Sequence, residues 1–554
     1  MRPRTSTRAP GGPEAALDGP APGEPDRAGR SPDPGAGTRA GPAWAAAAWI
    51  GGALVLFACL FRISLSSPVT SDGANDALLG WDMLHGNVLL HGWIIADVTY
   101  YTFELPLYAI GELLIGLQTA TSHVAAALTY LIVVAFAVAV ARTGSRGLAA
   151  AARCGVVVAV MAAALVTLPG VAVLLEQPDH FGTSAFLLGS FLLIDRAAGW
   201  RFTSPLLGVI LCVGQVGDAT VRYIAVPAIL LVCAYRIVAA RKIRTNDTAM
   251  ALAAAVSVPL ASLIRAVMVH FGAYAMTRVK NGIAPPGEWP HHAALTLRAL
   301  LTLFGATFTE PRTLLSTLGA TFGLICLLAA AFGFGRVVWT WRSASRAEQL
   351  LCVAIVLQLA VYTVSTLSAG RAYDVAAVLP GGAVLAARAC VPERIARAPR
   401  ARARVVLAAA AVAALIPLTV AVTRPPVTPP AVPLAAWLKA HGLTYGIAGY
   451  FDSSAVTLQS GNQVQVRAVY DTSGKFVVYG IMTKYDWFSP SAHDANFVIA
   501  DPARAYPWDA FTAGEYERYF GRPAAIYQVA DRTILIYRTN LLTRLPALAP
   551  PQGQ

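Results

Sequence analysis

The chain has 554 residues, of which 56% are hydrophobic and 13% charged, and its formal net charge is +13. Such an apolar composition is typical of proteins that cross a membrane many times, and it excludes an ordinary soluble domain, in which about 25% of residues are charged. The basic residues are spread over many short segments, which argues against nucleic-acid binding.

The N-terminal segment, residues 1–42, is rich in Pro, Gly, Ala and Arg and has almost no large apolar side chains. Such a segment buries too little surface to offset the entropy lost on ordering, so we predict a disordered cytoplasmic tail. The first apolar run, near residues 43–65, is long and lies far from the N-terminus. It therefore favours a retained membrane anchor over a cleaved signal peptide.

Apolar runs of suitable length predict eleven transmembrane helices. They lie near residues 43–65, 119–141, 153–175, 180–197, 203–217, 219–238, 248–271, 313–335, 348–368, 373–391 and 404–422. The loops on one side of these runs hold 18 Lys and Arg residues against four Asp and Glu residues. The positive-inside rule assigns those loops to the cytoplasm, and the odd number of spans then puts the C-terminus outside.

The first long interruption between spans, residues 66–118, contains two short amphipathic segments. Over residues 72–84 apolar side chains recur at helical spacing, while Asp72 and Asp76 share another face. A second segment begins near Glu104 and carries further polar residues at i,i+4 steps. Both are too short to span a bilayer, so we predict two helices on the outer membrane surface.

The composition changes after the last span. A Pro-rich linker, residues 423–432, leads into a mostly soluble part, residues 433–554. This part mixes helix-like segments with the strand candidates TYGIAGY, VQVRAVY, NFVIAD, AIYQVA and TILIYR, the last two joined by a hairpin at Asp531 and Arg532. We predict a small extracytoplasmic α/β domain. No glycine-rich phosphate-binding motif follows a strand, so nucleotide binding is not indicated.

Ionisable groups gather near the outer ends of the predicted spans, where burial in hydrocarbon is costly unless something compensates. Together with the acids of the outer loop, they are candidates to line a polar cavity on that side. The groups at span ends are Glu176, Asp179, His180, Asp218, Arg222, Arg265, His270, Arg371, Tyr373 and Asp374. The alternative is a set of ordinary solvated loop ends.

Several stretches resemble the GT-C class of membrane glycosyltransferases, most closely its protein O-mannosyltransferase and aminoarabinose-transferase branch. They are SDGAND, ALLGWDMLHGN and LPLYAIG in the outer loop, EQPDHFGTSAFLLGSFLLIDRA at the fourth span, and GRAYDVAAVLPGGAVLAAR at the tenth. The resemblance covers roughly residues 43–422. It implies a GT-C-like transmembrane module followed by an outward-facing domain.

The resemblance implies an enzyme that moves a hexose or pentose from a polyprenyl phosphate to a hydroxyl of a glycan, lipid or protein. Asp72 would be the catalytic base. Members often have two adjacent acids where this chain has Asp72 followed by Gly73, so Asp76 stays an alternative. The candidates to bind the donor phosphate are Arg371, Arg222, Arg265 and Tyr373. The candidates to bind the substrates are His85, His91, Glu104, Tyr108, Asp179 and His180.

An outer site disfavours a nucleotide sugar as donor, because nucleotide sugars are made in the cytoplasm and no glycine loop is present to hold one. Two other classes of function stay open: a transporter or flippase of an amphiphile, and a non-catalytic membrane protein whose outer domain binds a partner. No metal is firmly predicted. A divalent cation held by Asp72, Asp179 and His180 is an alternative, although no DxD or HExxH motif is present.

Overall fold

The computed structural model describes residues 42–176, 180–197, 199–241, 244–277, 282–308, 313–366, 370–392, 399–503 and 508–548. The chain divides into two compact units, Met1–Gly52 and Ala53–Gln554. Of the first unit, only the start of the first helix is described, so the predicted disordered tail lies outside the described residues except for Pro42.

Helices form most of the described chain. In chain order they are α1 Pro42–Ser64, α2 Ser71–Leu84, α3 Glu104–Ile115, α4 Thr119–Arg142, α5 Gly147–Ala164, α6 Leu168–Val171, α7 Thr183–Ala197, α8 Thr203–Gly217, α9 Thr220–Ala240, α10 Thr245–His270, α11 Trp289–Leu303, α12 Leu314–Trp339, α13 Arg346–Val364, α14 Val378–Cys390, α15 Arg400–Val422, α16 Ala431–Ala440, α17 Tyr450–Gln459 and α18 Ala513–Phe520. Each of the eleven predicted spans contains a helix. Within the described ranges, eight helices (α1, α4, α5, α9, α10, α12, α13 and α15) are long and apolar enough to cross a membrane.

The other three predicted spans hold shorter helices. α7, α8 and α14 have 15, 15 and 13 residues, which rise only about 20–22 Å against a hydrocarbon core of about 30 Å. α7 begins just after His180, α8 ends at Asp218, and α14 begins just after a 3-10 turn, Ala372–Val375. Each short helix therefore begins or ends next to a polar segment.

The apolar run predicted as one span over residues 153–175 has the wrong bounds. α5 starts earlier, at Gly147, and ends at Ala164. The Thr167 hydroxyl then accepts a hydrogen bond from the Gly170 N–H (3.3 Å), which starts α6, and a π-helical turn continues to Glu176. Pro169, beside this cap, has no N–H to donate to the preceding turn, which favours a break between α5 and α6.

Both predicted surface helices are present as α2 and α3. They approach closely at a glycine, since a Cβ atom on Gly80 would lie 3.1 Å from Cβ of Tyr108. α3 turns its polar residues inward: Glu112 is 3% exposed, whereas Leu113 and Leu114 are 75% and 72% exposed. An apolar outer face of this kind suits a helix that lies at a membrane interface.

The strands belong mostly to the C-terminal part. In chain order they are β1 Trp93–Ile95, β2 Ala275–Met276, β3 Tyr445–Ala448, β4 Gln465–Asp471, β5 Phe476–Val478, β6 Thr483–Lys484, β7 Phe497–Ala500, β8 Ala525–Val529 and β9 Arg532–Ile536. Six of them form a sheet in the order β5-β4-β3-β7-β9-β8, in which β3 pairs in parallel with β4 and β7. All five predicted strands are confirmed. The β8–β9 turn contains Ala530 and Asp531, one residue earlier than predicted.

The six-stranded sheet is covered on both faces. Alternate residues of a strand point to opposite sides, so Ile447 packs with α18 at Phe520, while its neighbour Ala448 packs with α16 and α17 at Leu434 and Val456. This packing makes the C-terminal part a three-layered α/β domain.

A second, three-stranded sheet joins the outer loop to the C-terminal domain. β1, which lies between α2 and α3, pairs in parallel with β2 and antiparallel with β6. The Asp82 carboxylate at the end of α2 accepts a hydrogen bond from the Trp93 indole (2.7 Å) and lies 3.1 Å from Nζ of Lys484. These contacts fix the C-terminal domain against α2.

The loops predicted to be cytoplasmic bring basic and acidic side chains together. The ion pairs are Arg336–Glu348 (3.0 Å), Arg346–Asp247 (2.8 Å) and Arg388–Asp195 (3.8 Å). Arg388 is only 5% exposed, and Asp247 is fully buried. The residues that indicate topology therefore also connect helices that are distant in sequence.

Candidate active site

The first turn of α2 carries Asp72, the candidate base, at a contact with the C-terminal domain. The Tyr450 hydroxyl, at the start of α17, donates a hydrogen bond to Oδ1 of Asp72. Asn75 donates to the same tyrosine oxygen (3.2 Å), and its own side-chain oxygen accepts from the Ser454 hydroxyl (2.7 Å). Because Asp72 and Asn75 are three residues apart on α2, both reach α17 from one helix face.

Tyr450 is held firmly in this position. The Asp509 carboxylate accepts hydrogen bonds from the backbone N–H groups of Tyr450 and Phe451 at the N-terminus of α17, the second at 3.2 Å. A Cβ atom on Gly449 would lie 2.6 Å from Oδ1 of Asp509, so this approach needs a glycine. Burial and the Asp72 carboxylate raise the pKa of the Tyr450 hydroxyl well above its ordinary value. The tyrosine therefore stays protonated and donates a hydrogen bond to Asp72.

Three further predicted residues are buried between α2, α3 and the start of α7. Asp76, one turn further along α2, is 3% exposed, and Tyr108 is fully buried with its hydroxyl close to Gly73. Glu104 is 4% exposed, and a Cβ atom on Gly182 would collide with its carboxylate. The glycine thus allows the N-terminus of α3 to approach the turn before α7.

A second polar group forms where α7, α8 and α9 meet. Nδ1 of His180 lies 3.0 Å from Oδ2 of Asp218. The Thr183 hydroxyl donates to the same carboxylate oxygen, and the Thr220 backbone N–H donates to Oδ1 (2.7 Å). The Asp218 carboxylate therefore joins the first turns of α7 and α9 and orients the imidazole.

The turn Ala372–Val375 brings three more polar side chains to His180. Nε2 of His180 lies 4.0 Å from Oδ1 of Asp374, and Nε of Arg371 lies 3.8 Å from Oδ2 of the same carboxylate. The Tyr373 ring stacks on the imidazole with centroids 6.2 Å apart, and the Arg371 guanidinium lies 5.5 Å from the centre of the Tyr373 ring. We call His180, Asp218, Arg371, Tyr373 and Asp374 the histidine cluster.

The two central carboxyl groups of the histidine cluster titrate differently. Burial alone would raise the pKa of Asp218, but the His180 imidazole and the hydrogen bonds to its oxygens bring it below its ordinary value. Burial raises the pKa of Asp374 by more than His180 and Arg371 lower it, and Asp97 and Asp218 add a smaller increase. The two titrations differ because the imidazole and hydrogen bonds outweigh burial at Asp218, whereas burial dominates at Asp374.

One segment connects Asp72 to the histidine cluster. The Glu176 carbonyl oxygen lies 3.5 Å from the place where a Cβ atom on Gly73 would be, and the Glu176 carboxylate accepts a hydrogen bond from the Ser67 hydroxyl (2.5 Å). His180 follows four residues later, a span of at most about 14 Å of extended chain. The segment that contacts Gly73, the neighbour of Asp72, therefore leads directly to the histidine cluster.

Other predicted site residues lie elsewhere. His85 ends α2, about 20 Å along the helix axis from Asp72, and its Nδ1 lies 2.8 Å from the Trp81 carbonyl oxygen. Nδ1 of His91 lies 2.6 Å from the Gly272 carbonyl oxygen. The remaining candidates are Arg222, which is exposed on α9, Arg265, which is half-buried on α10, and Asp179, which lies outside the described residues.

Some residues of the site were not predicted. Tyr450 and Asn75 complete the environment of Asp72, and the Tyr100 ring contacts the edge of His180 with centroids 6.1 Å apart. The spacing of Asn75 from Asp72 was a usable signal, because it puts an amide on the face of the candidate base.

The described part of the chain holds no group of three His, Cys, Asp or Glu side chains that could bind a metal ion together. Of the residues suggested for a divalent cation, Asp72 contacts Tyr450, His180 contacts Asp218, and Asp179 is outside the described ranges.

No protein-family model and no curated protein matches the sequence. Solved structures match in fold. The aminoarabinose transferase ArnT from Cupriavidus metallidurans bound to undecaprenyl phosphate has a TM-score of 0.52 and 15% identity, over 93% of this chain and 100% of that chain. Its apo form gives 0.52 and 14%, over 91% and 100%. The oligosaccharyltransferase AglB from Archaeoglobus fulgidus, in complex with an inhibitory peptide and a dolichol-phosphate, gives 0.46 and 11%, over 83% and 70%. The two ArnT matches confirm the resemblance seen in the sequence at the level of the fold, which is the GT-C fold.

Proposed function

We propose that the chain is a membrane glycosyltransferase that moves a sugar from a polyprenyl-phosphate donor to an acceptor hydroxyl. The observation that carries the proposal is the position of the histidine cluster: it lies at the end of an apolar cleft, and the segment just before it contacts Gly73, the neighbour of Asp72. The ArnT structure with undecaprenyl phosphate supports the choice of donor, since it has the same fold.

The apolar cleft is small and lies between α7, α13 and α14. Its lining is mainly apolar, for example Leu188, Phe191 and Leu351. Its polar lining residues are Ser184, which follows Thr183, and Gln358, whose side-chain amide donates to the Asp374 carbonyl oxygen (3.1 Å). A prenyl chain that packed along the apolar side chains of these helices would bring its phosphate to the histidine cluster.

The histidine cluster suits a phosphate. Arg371 supplies a guanidinium whose side chain is 48% exposed, so it is accessible to a ligand. The donors at the first turns of α7 and α9 are already bonded to the Asp218 carboxylate, so the charged contact to the phosphate would come from Arg371. Among the four candidates for the donor phosphate, the geometry favours Arg371 and Tyr373 over Arg222 and Arg265.

In the proposed reaction the acceptor oxygen attacks the anomeric carbon of the sugar. The bond between that carbon and the phosphate oxygen breaks, and its electron pair leaves on the polyprenyl phosphate. Asp72 takes the proton of the acceptor hydroxyl, and Arg371 stabilises the charge that develops on the departing phosphate. Asp72 is favoured over Asp76 as the base, because Asp72 is partly exposed whereas Asp76 is 3% exposed.

We also propose that the site faces outward, with the N-terminus in the cytoplasm and the C-terminal domain outside. The support is the positive-inside rule, applied to the arginine-rich loops at the opposite helix ends. Transfer at the outer face would take place in the cell envelope, where lipid-linked sugars are available and nucleotide sugars are not.

The experiment is sugar transfer by the full-length chain in proteoliposomes, with either a polyprenyl-phosphate sugar or a sugar nucleotide as the sole donor. We expect transfer from the lipid-linked donor, and a loss of about 10²- to 10⁴-fold in kcat for Asp72→Asn, as is typical when a general base is removed. Asp76→Asn is the matched control on the next turn. Full activity of Asp72→Asn, or efficient use of the nucleotide sugar alone, would refute the proposal.

A further inference from the structure

A group of aromatic side chains in the C-terminal domain lies beside Asp72. Tyr450, which bonds Asp72, has its ring centre 4.6 Å from that of Tyr479. The Tyr479 ring lies nearly parallel to Trp508, with centroids 5.6 Å apart and 10° between the planes, and Phe451 lies 5.8 Å from Trp508. Burial and the Asp72 carboxylate raise the pKa of Tyr479 to about 12, in keeping with its position near that carboxylate.

Part of this group is open to a ligand. Trp508 is 39% exposed and Tyr479 is half-buried, whereas Tyr450 beneath them is buried. Trp508 and Tyr479 thus present aromatic surface above the buried Tyr450 ring, with an indole N–H and a phenol hydroxyl at its edges. Tyr and Trp combine an apolar body with a polar end in this way.

We infer that Trp508 and Tyr479 form the acceptor subsite, and that the acceptor is a carbohydrate. This inference rests on the proposed function and specifies its acceptor. One face of a sugar ring carries mainly C–H groups and packs against an aromatic ring, while the hydroxyls at its rim remain free for hydrogen bonds. A sugar ring on Trp508 and Tyr479 would turn one hydroxyl toward Asp72, where the proton must be removed.

The proposed donor site and the proposed acceptor site lie on different parts of the chain. The apolar cleft and the histidine cluster belong to α7, α13, α14 and the neighbouring turns, whereas the aromatic group belongs to the C-terminal domain. Asp72 contacts the C-terminal domain through Tyr450, and the adjacent Gly73 contacts the segment that leads to His180. Asp72 therefore contacts the acceptor side directly and is linked to the donor side through the segment next to Gly73, which suits a base in a transfer reaction.

The test measures binding without donor, by saturation-transfer NMR on the full-length chain in a detergent that has no sugar head group. The probes are malto-, manno- and arabino-oligosaccharides and a Ser/Thr-rich peptide of similar mass. The variants are Trp508→Ala, Trp508→Phe, which retains an aromatic face, and Trp200→Ala as a control. Trp200 is 52% exposed and lies between α7 and α8, outside the C-terminal domain.

We expect at least one oligosaccharide to bind the wild-type chain and Trp200→Ala equally. Trp508→Ala should bind on the order of tenfold more weakly, since one aromatic contact is worth about that factor, and Trp508→Phe should recover most of the loss. Failure of all three oligosaccharides to bind, equal binding by Trp508→Ala, or binding of the peptide alone would overturn the inference.

This test separates the acceptor subsite from the proposed function. Oligosaccharide binding that depends on Trp508, in a chain that transfers no sugar from any lipid-linked donor, would support the subsite and refute the transferase. Sugar transfer that Trp508→Ala leaves unimpaired would support the transferase and refute the subsite.

Discussion

Replacement of Tyr450 by phenylalanine removes a single oxygen from the site and keeps the aromatic packing. The lost group is the hydroxyl that donates to Oδ1 of Asp72. A hydrogen bond to a charged group contributes ~1.5–3 kcal/mol, and 1.36 kcal/mol corresponds to one pKa unit. Without this donor the carboxylate form of Asp72 is less stable. We therefore expect the acid limb of the pH dependence of kcat/KM to move about one unit toward higher pH, so that kcat/KM falls about tenfold at pH values on that limb.

The assay is transfer from a polyprenyl-phosphate sugar in proteoliposomes over a range of pH, with folding checked by thermal unfolding. Tyr445→Phe is the matched control. Tyr445 is also a buried tyrosine of the C-terminal domain, but its hydroxyl donates to the Trp487 carbonyl oxygen (2.5 Å) and not to Asp72. If Tyr450 had only a structural role, both substitutions would lower the stability of the chain, and the acid limb of kcat/KM would stay at the wild-type pH in both. That result would refute the role assigned to Tyr450.

Three further predictions concern donor binding by Arg371, the buried carboxyl group of Glu112 on α3, and the close contact between Gly182 and Glu104. Arg371→Gln should raise KM for the lipid-linked donor by about tenfold or more, because a charge-assisted phosphate contact is lost. Arg342 is an exposed arginine between α12 and α13, and Arg342→Gln should leave KM unchanged. An equal rise of KM in both variants would contradict the role assigned to Arg371. Burial raises the pKa of Glu112 from 4.5 to about 9, so the folded chain holds a proton that the unfolded chain releases, and stability should fall as the pH rises from about 4.5 to about 9. Glu112→Gln should abolish this dependence and stabilise the chain by about 3 kcal/mol at pH 7; a thermal unfolding midpoint with the same pH dependence in both chains would contradict it. Gly182→Ala should cost ~1–3 kcal/mol because its Cβ atom collides with Glu104, while Gly199→Ala, which has open space around it, should leave the unfolding midpoint unchanged.

Much of the fold was predictable, because it follows from local patterns. Each predicted span contains a helix, and α2 and α3 begin within a residue of the predicted starts at Asp72 and Glu104. Hydrophobic periodicity reports which face of a segment is apolar, and that face is sufficient to identify a helix. The errors have local causes too: a threonine cap before Pro169 divides the run predicted over residues 153–175.

The histidine cluster was only partly predictable. Composition placed His180, Asp218 and Arg371 at the same ends of their spans, and the structure brings them together. Composition does not report distance within a membrane plane, so it gave equal weight to Arg222 and Arg265. Which arginine faces the site depends on the rotation of each helix about its axis. That rotation is set by packing against neighbouring helices, for example where Gly214 of α8 lies against Val221 of α9.

The contact of Asp72 with Tyr450 could not be predicted from the sequence, because Tyr450 lies 378 residues away in another domain. No local pattern in α17 marks Tyr450 as part of a site in α2. The contact depends on the strand pairing of β1 with β6 and on the Asp509 carboxylate that fixes the first turn of α17. It also bears on the alternative in which the C-terminal domain is a separate binding module. A module of that kind has no need to place a buried hydroxyl on a carboxylate of the transmembrane part, whereas an active site that closes only when both parts meet requires such a contact.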